Sequence, residues 1–271
     1  MIRDITIGQY FAGNSLVHRL DPRIKIVLTI AFIVDIFLVK NFWSLGLMLV
    51  SLLGITLISK IPVKTILKSI KPLAVIVIFT SILNIFYIQD GKILFEFKFI
   101  KITEYGLIFS LFMIIRIVAL VIASSLLTYT TTPTMLTDAL ERLMSPLKIF
   151  KIPVSTLAMM MTLALRFIPT LIEEVDKIMN AQKARGASFD TGGLLSRIKS
   201  LIPVLIPLFV SSFRRAYELA FAMECRCYTG SDGRTKMKSV KISFRDIVSV
   251  IIVAVFTAGI ILLNKFFAHI I

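Results

Sequence analysis

Long apolar segments alternate with short basic ones along most of the chain, and this pattern predicts helices that cross a membrane. A membrane-spanning helix needs about 20 mostly apolar residues, with a range of about 17–25. Five segments approach or reach that length, at residues 24–39, 42–58, 72–88, 105–127 and 246–267. Ionisable residues are rare in their interiors, where Asp35 in the first segment and Arg116 in the fourth are the exceptions.

A different pattern occupies residues 131–245, between the fourth segment and the last. This region carries 17 of the 31 basic residues and 9 of the 16 acidic ones. Its apolar positions recur every three or four residues, as on one face of an amphipathic helix. Three such stretches are predicted, at about 133–150, 154–185 and 195–227.

Two apolar runs within these stretches, 154–172 and 201–213, leave their relation to the membrane open. They could span it, tilt into it or lie on its surface. Prolines and dense charges just beyond each run favour a tilted or surface position. The predicted fold class is therefore an all-α membrane protein, with about five transmembrane helices and a cytoplasmic domain of three long amphipathic helices.

Composition excludes an ordinary water-soluble domain. The chain is 57% apolar and 17% charged, with a mean hydropathy of +0.89, whereas soluble domains are about 45–50% apolar and about 25% charged. The net charge of +15 would suggest a nucleic-acid partner in a soluble protein. Here the charge lies between apolar segments, so we expect the lipid bilayer, and no nucleic acid, to be the partner.

The distribution of lysine and arginine predicts the orientation. Twenty-five of these residues fall on one predicted side and five on the other, with Arg116 inside a span. Because cytoplasmic loops carry the excess of basic residues, the N-terminus is predicted inside and the C-terminus outside. The predicted domains are an N-terminal cytoplasmic segment (1–22), four transmembrane helices (23–130), a cytoplasmic domain (131–245) and a last transmembrane helix (246–271).

The outer loop at residues 89–104 alternates apolar and charged residues after an Asp-Gly pair, which predicts a small β-hairpin.

The sequence contains few candidate catalytic residues. The chain has two cysteines and two distant histidines, which predict no metal site, and it has no Gly-x-x-x-x-Gly-Lys phosphate loop. We therefore expect neither catalysis by this chain alone nor a cofactor bound to it.

Two arginines are predicted at the ends of two long helices. The triplet Ala184-Arg185-Gly186 ends the second amphipathic stretch, and Cys225-Arg226-Cys227 ends the third. A helix C-terminus favours a cation, and small neighbours leave the guanidinium accessible to an acidic groove on a partner. Gly186 is predicted to end the first helix in the left-handed conformation, and Gly230 to have a similar part after the second.

The N-terminal region contains a second distinctive string. It reads Gly8-Gln9-Tyr10, then Ser15-Leu16-Val17-His18-Arg19-Leu20-Asp21-Pro22-Arg23. Asp21 is a favourable N-cap and Pro22 a favourable first helical residue, and Arg23 and Lys25 are predicted at the level of the lipid headgroups. His18 by itself is an unremarkable polar residue near the interface.

This string, together with the two arginine triplets, resembles the transmembrane T components of energy-coupling factor (ECF) transporters of prokaryotes, the CbiQ-like EcfT family. The first triplet matches that family's Ala-Arg-Gly motif in full, while the second keeps the arginine but replaces its neighbours by cysteines. The resemblance implies that both arginines dock into two cytoplasmic ATPase subunits, A and A′. Those subunits would bind ATP and Mg, and the protein would lie in the plasma membrane.

The resemblance further implies an apolar contact with a substrate-binding S component, which would select the vitamin or transition-metal ion taken up. Methionine suits such surfaces because it repacks easily. The candidate contact residues are Met135, Met144, Met159, Met160 and Met161. Asp35 and Arg116 form a candidate intramembrane pair, for which a structural role is favoured over a proton relay.

Two other functions are weighed against this one. A stand-alone secondary transporter predicts ionisable residues within the spans, broken helices and internal repeats, but only Asp35 and Arg116 lie in the interiors of the predicted spans and no repeat is visible. A membrane enzyme requires a cluster of histidine, acidic or cysteine residues near the interface, and the sequence offers none.

Overall fold

The structure, a computed structural model, describes residues 10–88, 93–97, 100–187, 189, 193–230 and 242–267. These residues are mainly helical. The α-helices are α1 (Pro22–Leu38), α2 (Phe42–Ser59), α3 (Val63–Ile70), α4 (Ala74–Tyr87), α5 (Glu104–Thr130), α6 (Pro133–Leu143), α7 (Val154–Ala184), α8 (Leu194–Glu224) and α9 (Phe244–Phe266). Short 3₁₀ helices at Lys71–Leu73 and Ser145–Phe150 follow α3 and α6.

The chain divides into two compact units. Among the described residues, the membrane unit comprises those from 10 to 139 and from 242 to 267, and the hairpin unit comprises those from 140 to 230. Within the sequence, the hairpin unit thus begins in the last turn of α6 and ends before α9. Its cytoplasmic location stays a prediction.

Within the part of the chain that the structure describes, five helical segments are long and apolar enough to cross a membrane. This confirms the predicted fold class, but one of the five differs from the predicted set. They are Phe42–Ser59, Val63–Tyr87, Glu104–Thr130, Val154–Ala184 and Phe244–Phe266. Helix α1, with 17 residues, is slightly shorter than these five segments. Helix α7 is one of the five because its N-terminal half is apolar, so a membrane-crossing position for α7 is compatible with its length and composition.

The basic segment before α4 differs from the simple connection that the predicted spans imply. Residues 60–71 lie between the second and third predicted spans, but α3 begins at Val63 and continues through the 3₁₀ turn into α4. The segment is amphipathic, and Ile66 is buried while Lys64 and Lys68 are exposed. The predicted stretch at 133–150 also differs, because it forms α6 and a separate 3₁₀ helix rather than one long rod.

Helix α5 is central in the membrane unit, where it packs against α1, α2, α3 and α4, while α9 packs against α1 and α2. Its Ala119 and Ala123 lie in the main apolar core. Small residues let helices approach closely in membranes, where packing rather than water exclusion drives association. The remaining buried members of this core are Phe32, Ile36, Val39, Leu45, Met48, Leu52, Phe112 and Ile260.

The predicted β-hairpin between α4 and α5 is confirmed. Strands β1 (Ile93–Phe97) and β2 (Ile100–Thr103) pair antiparallel, with Phe97 opposite Ile100. Thr103 then caps α5 by accepting a hydrogen bond from the Gly106 N–H, at 3.1 Å. A Cβ at Gly106 would lie 2.9 Å from the Ile88 carbonyl oxygen, so this crossing of α4 and α5 requires glycine.

One carboxylate closes the first turns of two helices in the membrane unit. Asp246 Oδ2 accepts from the Ser243 N–H at the start of α9, at 2.7 Å, and Asp246 Oδ1 accepts from the Asp21 N–H at 2.9 Å. Asp21 in turn caps α1 as predicted, by accepting from the Arg23 N–H at 2.9 Å. The starts of α1 and α9 are therefore joined through buried polar groups.

Lys25 does not extend to the lipid headgroups as the sequence suggested, because it is buried within the protein. Its Nζ donates to the carbonyl oxygens of His18, at 3.2 Å, and Thr130, at 3.0 Å, and to Thr131 Oγ1 at 3.4 Å. Thr130 is the last residue of α5, where carbonyl groups lack helical partners. The lysine thus satisfies a helix C-terminus and offsets the nearby carboxylates of Asp21 and Asp246.

Asp246→Ala should destabilise the membrane unit by about 2–4 kcal/mol, because two backbone N–H groups lose their acceptor and one of them is buried. Asp246→Asn should cost less, since its single oxygen can still accept one of the two bonds. Unfolding midpoints in mixed micelles measure both effects. The exposed neighbour Arg245 provides the control, and Arg245→Ala should change stability by less than about 0.5 kcal/mol. If Asp246→Ala and Arg245→Ala destabilised the protein equally, Asp246 would not be the shared acceptor at the starts of α1 and α9.

Candidate functional site

The two predicted arginines lie on an antiparallel helical hairpin formed by α7 and α8. Three contacts set its register: Arg215 Nη2 to Glu174 Oε2 at 2.7 Å, Tyr228 Oη to Met159 Sδ at 3.2 Å, and Gln182 Nε2 to the Pro203 carbonyl oxygen at 3.4 Å. The Ser211 hydroxyl also donates to Glu174. Both helices contain 31 residues, as the sequence predicted for two rods of about 30 residues.

A proline in α8 explains one of these contacts. Pro207 has no N–H group, so the Pro203 carbonyl, four residues earlier, lacks its usual helical partner. The side-chain amide of Gln182 on α7 donates to that carbonyl. The carbonyl that Pro207 leaves unpaired in α8 therefore forms a contact with α7, close to the end of α7.

The first arginine end is closed by backbone hydrogen bonds. Gly186 has a φ of +89°, the Ala187 N–H donates to the Gln182 carbonyl at 3.0 Å, and the Gly186 N–H donates to the Lys183 carbonyl at 2.9 Å. This combination is the Schellman motif, in which a left-handed residue ends the helix. Arg185 is the residue immediately before the left-handed one, as the sequence predicted.

The second arginine end repeats this geometry with a different residue. Cys227 has a φ of +55°, the Tyr228 N–H donates to the Met223 carbonyl at 3.1 Å, and the Cys227 N–H donates to the Glu224 carbonyl at 2.9 Å. The predicted role of Gly230 is wrong, because Cys227 ends the helix three residues earlier. The departure from Ala-Arg-Gly therefore falls on the position that most favours glycine.

Arg185 and Arg226 are consequently equivalent in backbone position, each directly before the left-handed residue of a Schellman motif. Both are exposed, as are their neighbours Ala184, Gly186 and Cys225. Within the described part of the chain, neither guanidinium has a hydrogen bond or an ion pair. Each adds positive charge to a helix C-terminus, where it is electrostatically favoured.

The two ends lie at opposite ends of the hairpin. The contacts of Tyr228 with Met159 and of Gln182 with Pro203 place Arg226 beside the start of α7 and Arg185 at its end. About 24 residues of α7 separate these levels, which corresponds to roughly 35 Å at 1.5 Å per residue. One rigid element thus presents two equivalent cations at widely separated points.

The candidate methionines do not form one set. Met135 in α6, Met144 after it, and Met160 and Met161 in α7 are exposed. Met159 is half-buried and accepts a hydrogen bond from Tyr228, so it belongs to the contact between α7 and α8. Four of the five therefore remain available to a partner.

A larger apolar surface on α8 was missed by sequence reasoning. Exposed side chains follow one face of the helix, and the rings of Phe209 and Phe213 stack with centroids 6.5 Å apart. The buried side of α8 carries Val204, while Ser211 and Arg215 contact α7. The members of the exposed face are Ile198, Ile202, Ile206, Phe209, Phe213, Tyr217 and Phe221. Their spacing of three or four residues was the signal that could have identified this second face.

The predicted pair between Asp35 and Arg116 is not formed. Asp35 is buried and lies 2.9 Å from Thr257 Oγ1, whereas Arg116 Nη2 donates to the Val39 carbonyl oxygen at 2.6 Å and lies over the Phe112 ring. Val39 is the C-cap of α1. Arg116 therefore satisfies a helix end inside the membrane unit, which is a structural role with a different partner.

His18, which the sequence left without a role, organises the N-terminal string. Its Nδ1 lies 2.6 Å from Ser15 Oγ, and its Nε2 lies 3.0 Å from the Phe11 carbonyl oxygen. The Phe11 N–H donates to the Tyr129 carbonyl of α5 at 2.9 Å, and a Cβ on Gly13 would lie 3.0 Å from the imidazole. Residues 10–20 thus form a fixed turn on the membrane unit.

The helices and their apolar surfaces define a multi-pass α-helical membrane protein. Among the described residues, no group of three or more histidine, cysteine or acidic side chains is placed to hold a metal ion. The most distinctive arrangement is instead the pair of equivalent arginine ends on an inserted hairpin, together with the organised N-terminal turn.

Comparison with known proteins assigns this membrane protein to a family. A family model described as cobalt transport protein, CbiQ, matches residues 13–237. A protein of Ruminiclostridium cellulolyticum is 53% identical over 98% of this chain and 100% of its own length, and one of Bacillus subtilis is 45% identical over 94% and 97%. Both are named energy-coupling factor transporter transmembrane protein EcfT. The chain therefore belongs to the EcfT family, the transmembrane components of energy-coupling factor transporters.

The left-handed residues at the two ends should respond oppositely to substitution. Cys227→Gly should stabilise the end of α8 by about 0.5–1 kcal/mol, because a left-handed conformation costs an L-residue more than glycine. Gly186→Ala should destabilise the end of α7 by about 1 kcal/mol. No neighbouring atom lies within 4 Å of the added Cβ, so the cost is conformational. Hydrogen exchange of the Tyr228 and Ala187 amides measures the two effects.

For this pair, Gly193→Ala serves as the reference, because Gly193 has a φ of −71° and open space around its Cβ. It should leave exchange at both ends unchanged. Faster exchange at Tyr228 in Cys227→Gly would show that the left-handed conformation does not limit the stability of that end.

Proposed function

We propose that this chain couples two cytoplasmic ATPase subunits to a substrate-binding S component, and thereby drives the uptake of vitamins or transition-metal ions. The observation that supports this most directly is the equivalence of Arg185 and Arg226. Two identical geometries on one element suit two homologous partners. Membership of the EcfT family supports a role within a transporter complex.

Docking of each arginine into an acidic groove follows from the chemistry of the ends. The guanidinium is planar and carries five donors, so it can bind a carboxylate through two parallel hydrogen bonds. The helix ends are closed by their own backbones, which leaves the side chains available. Exposed small neighbours at Ala184 and Cys225 allow a groove to approach closely.

The hairpin is suited to transmit motion between such partners. The ion pair of Glu174 with Arg215 and the bond from Gln182 to Pro203 connect α7 and α8 at separate levels. When ATP binding brings the two ATPase subunits together, a force applied at Arg185 and Arg226 acts on both ends of one connected element. The subunits, rather than this chain, would bind ATP and Mg, and the chain would not be catalytic by itself.

An S component would bind through apolar surface. The exposed methionines Met135, Met144, Met160 and Met161 support such a contact, and the exposed face of α8 extends the available area. Exposed apolar patches of this kind mark protein or membrane contacts. The S component would determine the substrate. The hairpin unit and the N-terminus are proposed to be cytoplasmic, and the C-terminus to be outside, in the plasma membrane of a prokaryotic cell.

The docking proposal is tested by reversing both charges. Arg185→Glu combined with Arg226→Glu should prevent co-purification of the ATPase subunits with the full-length chain and abolish ATP-dependent uptake in cells. Each lost charge contact in an interface costs about 2–5 kcal/mol, so binding should weaken at least 30-fold. Arg185→Lys and Arg226→Lys keep the positive charge but remove the planar guanidinium and its paired donors, so each should cause an intermediate loss of ATPase binding.

The matched control reverses two exposed cations elsewhere on the same helices, away from the arginine ends. Lys177 and Arg214 are exposed, and Lys177→Glu combined with Arg214→Glu changes the net charge by the same amount. This control should retain ATPase binding. Normal uptake in the double arginine variant, or equal losses in the two double variants, would refute docking through the helix ends.

A further inference from the structure

A basic pocket on the membrane unit lies apart from both arginine ends. It is lined by Asn14, Ser15, Leu16, Arg19, Ile58 and Lys60. Lys60 directly follows α2, and α2 is a candidate membrane span that ends at Ser59. A residue at the end of a span lies at the level of the lipid headgroups, so the pocket opens where a bilayer meets water.

The charge in this pocket is unbalanced. Arg19 and Lys60 are exposed, and neither side chain forms a hydrogen bond or ion pair within the described residues. No carboxylate is among the described side chains that line the pocket. Arg23 nearby differs, because its charge is partly offset by Asp21, whose Oδ1 lies 3.8 Å away. Two uncompensated cations on one concave surface favour an anionic ligand.

Both walls of the pocket are held in place. The first wall is the turn fixed by His18, which contacts Ser15 and the Phe11 carbonyl. The second wall is the end of α2, where Lys60 has a φ of +55° and its N–H donates to the Leu57 carbonyl at 3.1 Å. A preformed site loses less conformational entropy on binding than a mobile one.

Apolar side chains beside the cations define the ligand further. Leu16 and Ile58 line the pocket and are exposed, and Leu57 next to them is 74% exposed. A free phosphate would use only the cations, whereas a phospholipid has a phosphate next to glycerol and acyl chains. Lipid is also the most concentrated ligand at this depth.

We infer that this pocket binds the headgroup of an anionic phospholipid, with Arg19 and Lys60 contacting phosphate oxygens and Leu16 and Ile58 beside the first acyl carbons. The assignment depends on the membrane location of α2 and does not depend on ATPase docking. The bound lipid would connect the N-terminal turn to the end of α2 and occupy the space between them.

Native mass spectrometry of the detergent-purified full-length chain tests this inference. Phosphatidylglycerol and phosphatidylcholine with matched acyl chains are titrated separately, and phosphatidylglycerol should bind at least about tenfold more tightly. Arg19→Gln combined with Lys60→Gln should weaken phosphatidylglycerol binding by a factor of about 10–30, as expected for two basic residues near a lipid phosphate. Both side chains are exposed, so the variant should fold normally.

The charge-matched control is Lys40→Gln combined with Lys265→Gln, two exposed lysines located after α1 and in the last turn of α9. It should reduce binding less than threefold, and Arg19→Lys with Lys60→Arg should retain it. The inference is overturned by equal binding of the two lipids, by equal losses in the two glutamine variants, or by complete displacement of phosphatidylglycerol by millimolar inorganic phosphate. None of these outcomes bears on co-purification of the ATPase subunits, so the two proposals fail separately.

Discussion

The ends of the helices, where backbone groups lack helical partners, impose the constraint on which this structure depends. Where these groups are buried away from water, side chains or other backbone atoms must satisfy them. At four helix ends in the membrane unit, side chains do so: Asp246 serves the starts of α1 and α9, Lys25 serves the end of α5, and Arg116 serves the end of α1. The ends of α7 and α8 are closed instead by their own backbones. Lys25 and Arg116 are therefore engaged in structural contacts within the membrane unit. Arg185 and Arg226 have no such contact among the described residues, so they can bind another molecule.

This difference accounts for what the sequence could and could not predict. Long apolar segments indicate membrane helices directly, and four of the five predicted spans correspond to candidate spans of the structure. Small residues around Arg185 indicate a helix end, which was also predicted correctly. The burial of Lys25 was missed because its acceptors at Thr130 and Thr131 are more than 100 residues away. The proposed partnership of Asp35 with Arg116 was wrong because hydropathy gives the depth of a residue and not its direction around the helix. Helix α1 at 17 residues and the half-apolar α7 lie near the limit of length and composition, where pattern alone cannot separate a span from a surface helix.

The prolines of α8 also leave a backbone carbonyl without its usual helical partner. Pro203 and Pro207 were taken as signs against a membrane span, and they do interrupt the hydrogen bonds of α8. The structure shows a further consequence, because the carbonyl freed by Pro207 accepts the amide of Gln182. Gln182 also provides the carbonyl that closes the Schellman motif at Arg185. The backbone at the first arginine end and the interruption in the neighbouring helix are thus connected through one residue.

The two arginine ends are alike in backbone geometry but differ in what stabilises them. At Arg185 the left-handed residue is glycine, so the end forms at little conformational cost. At Arg226 it is Cys227, for which this conformation is unfavourable, and the following residue, Tyr228, donates a hydrogen bond to Met159 on α7. The conformational free-energy cost of the left-handed Cys227 is therefore offset by a tertiary contact. It follows that the left-handed residue at the first end needs no compensating contact, although Gln182 also bonds to α8, whereas the geometry around Arg226 depends on the packing of α8 against α7. A disturbance that separates the two helices should therefore weaken the second end more than the first.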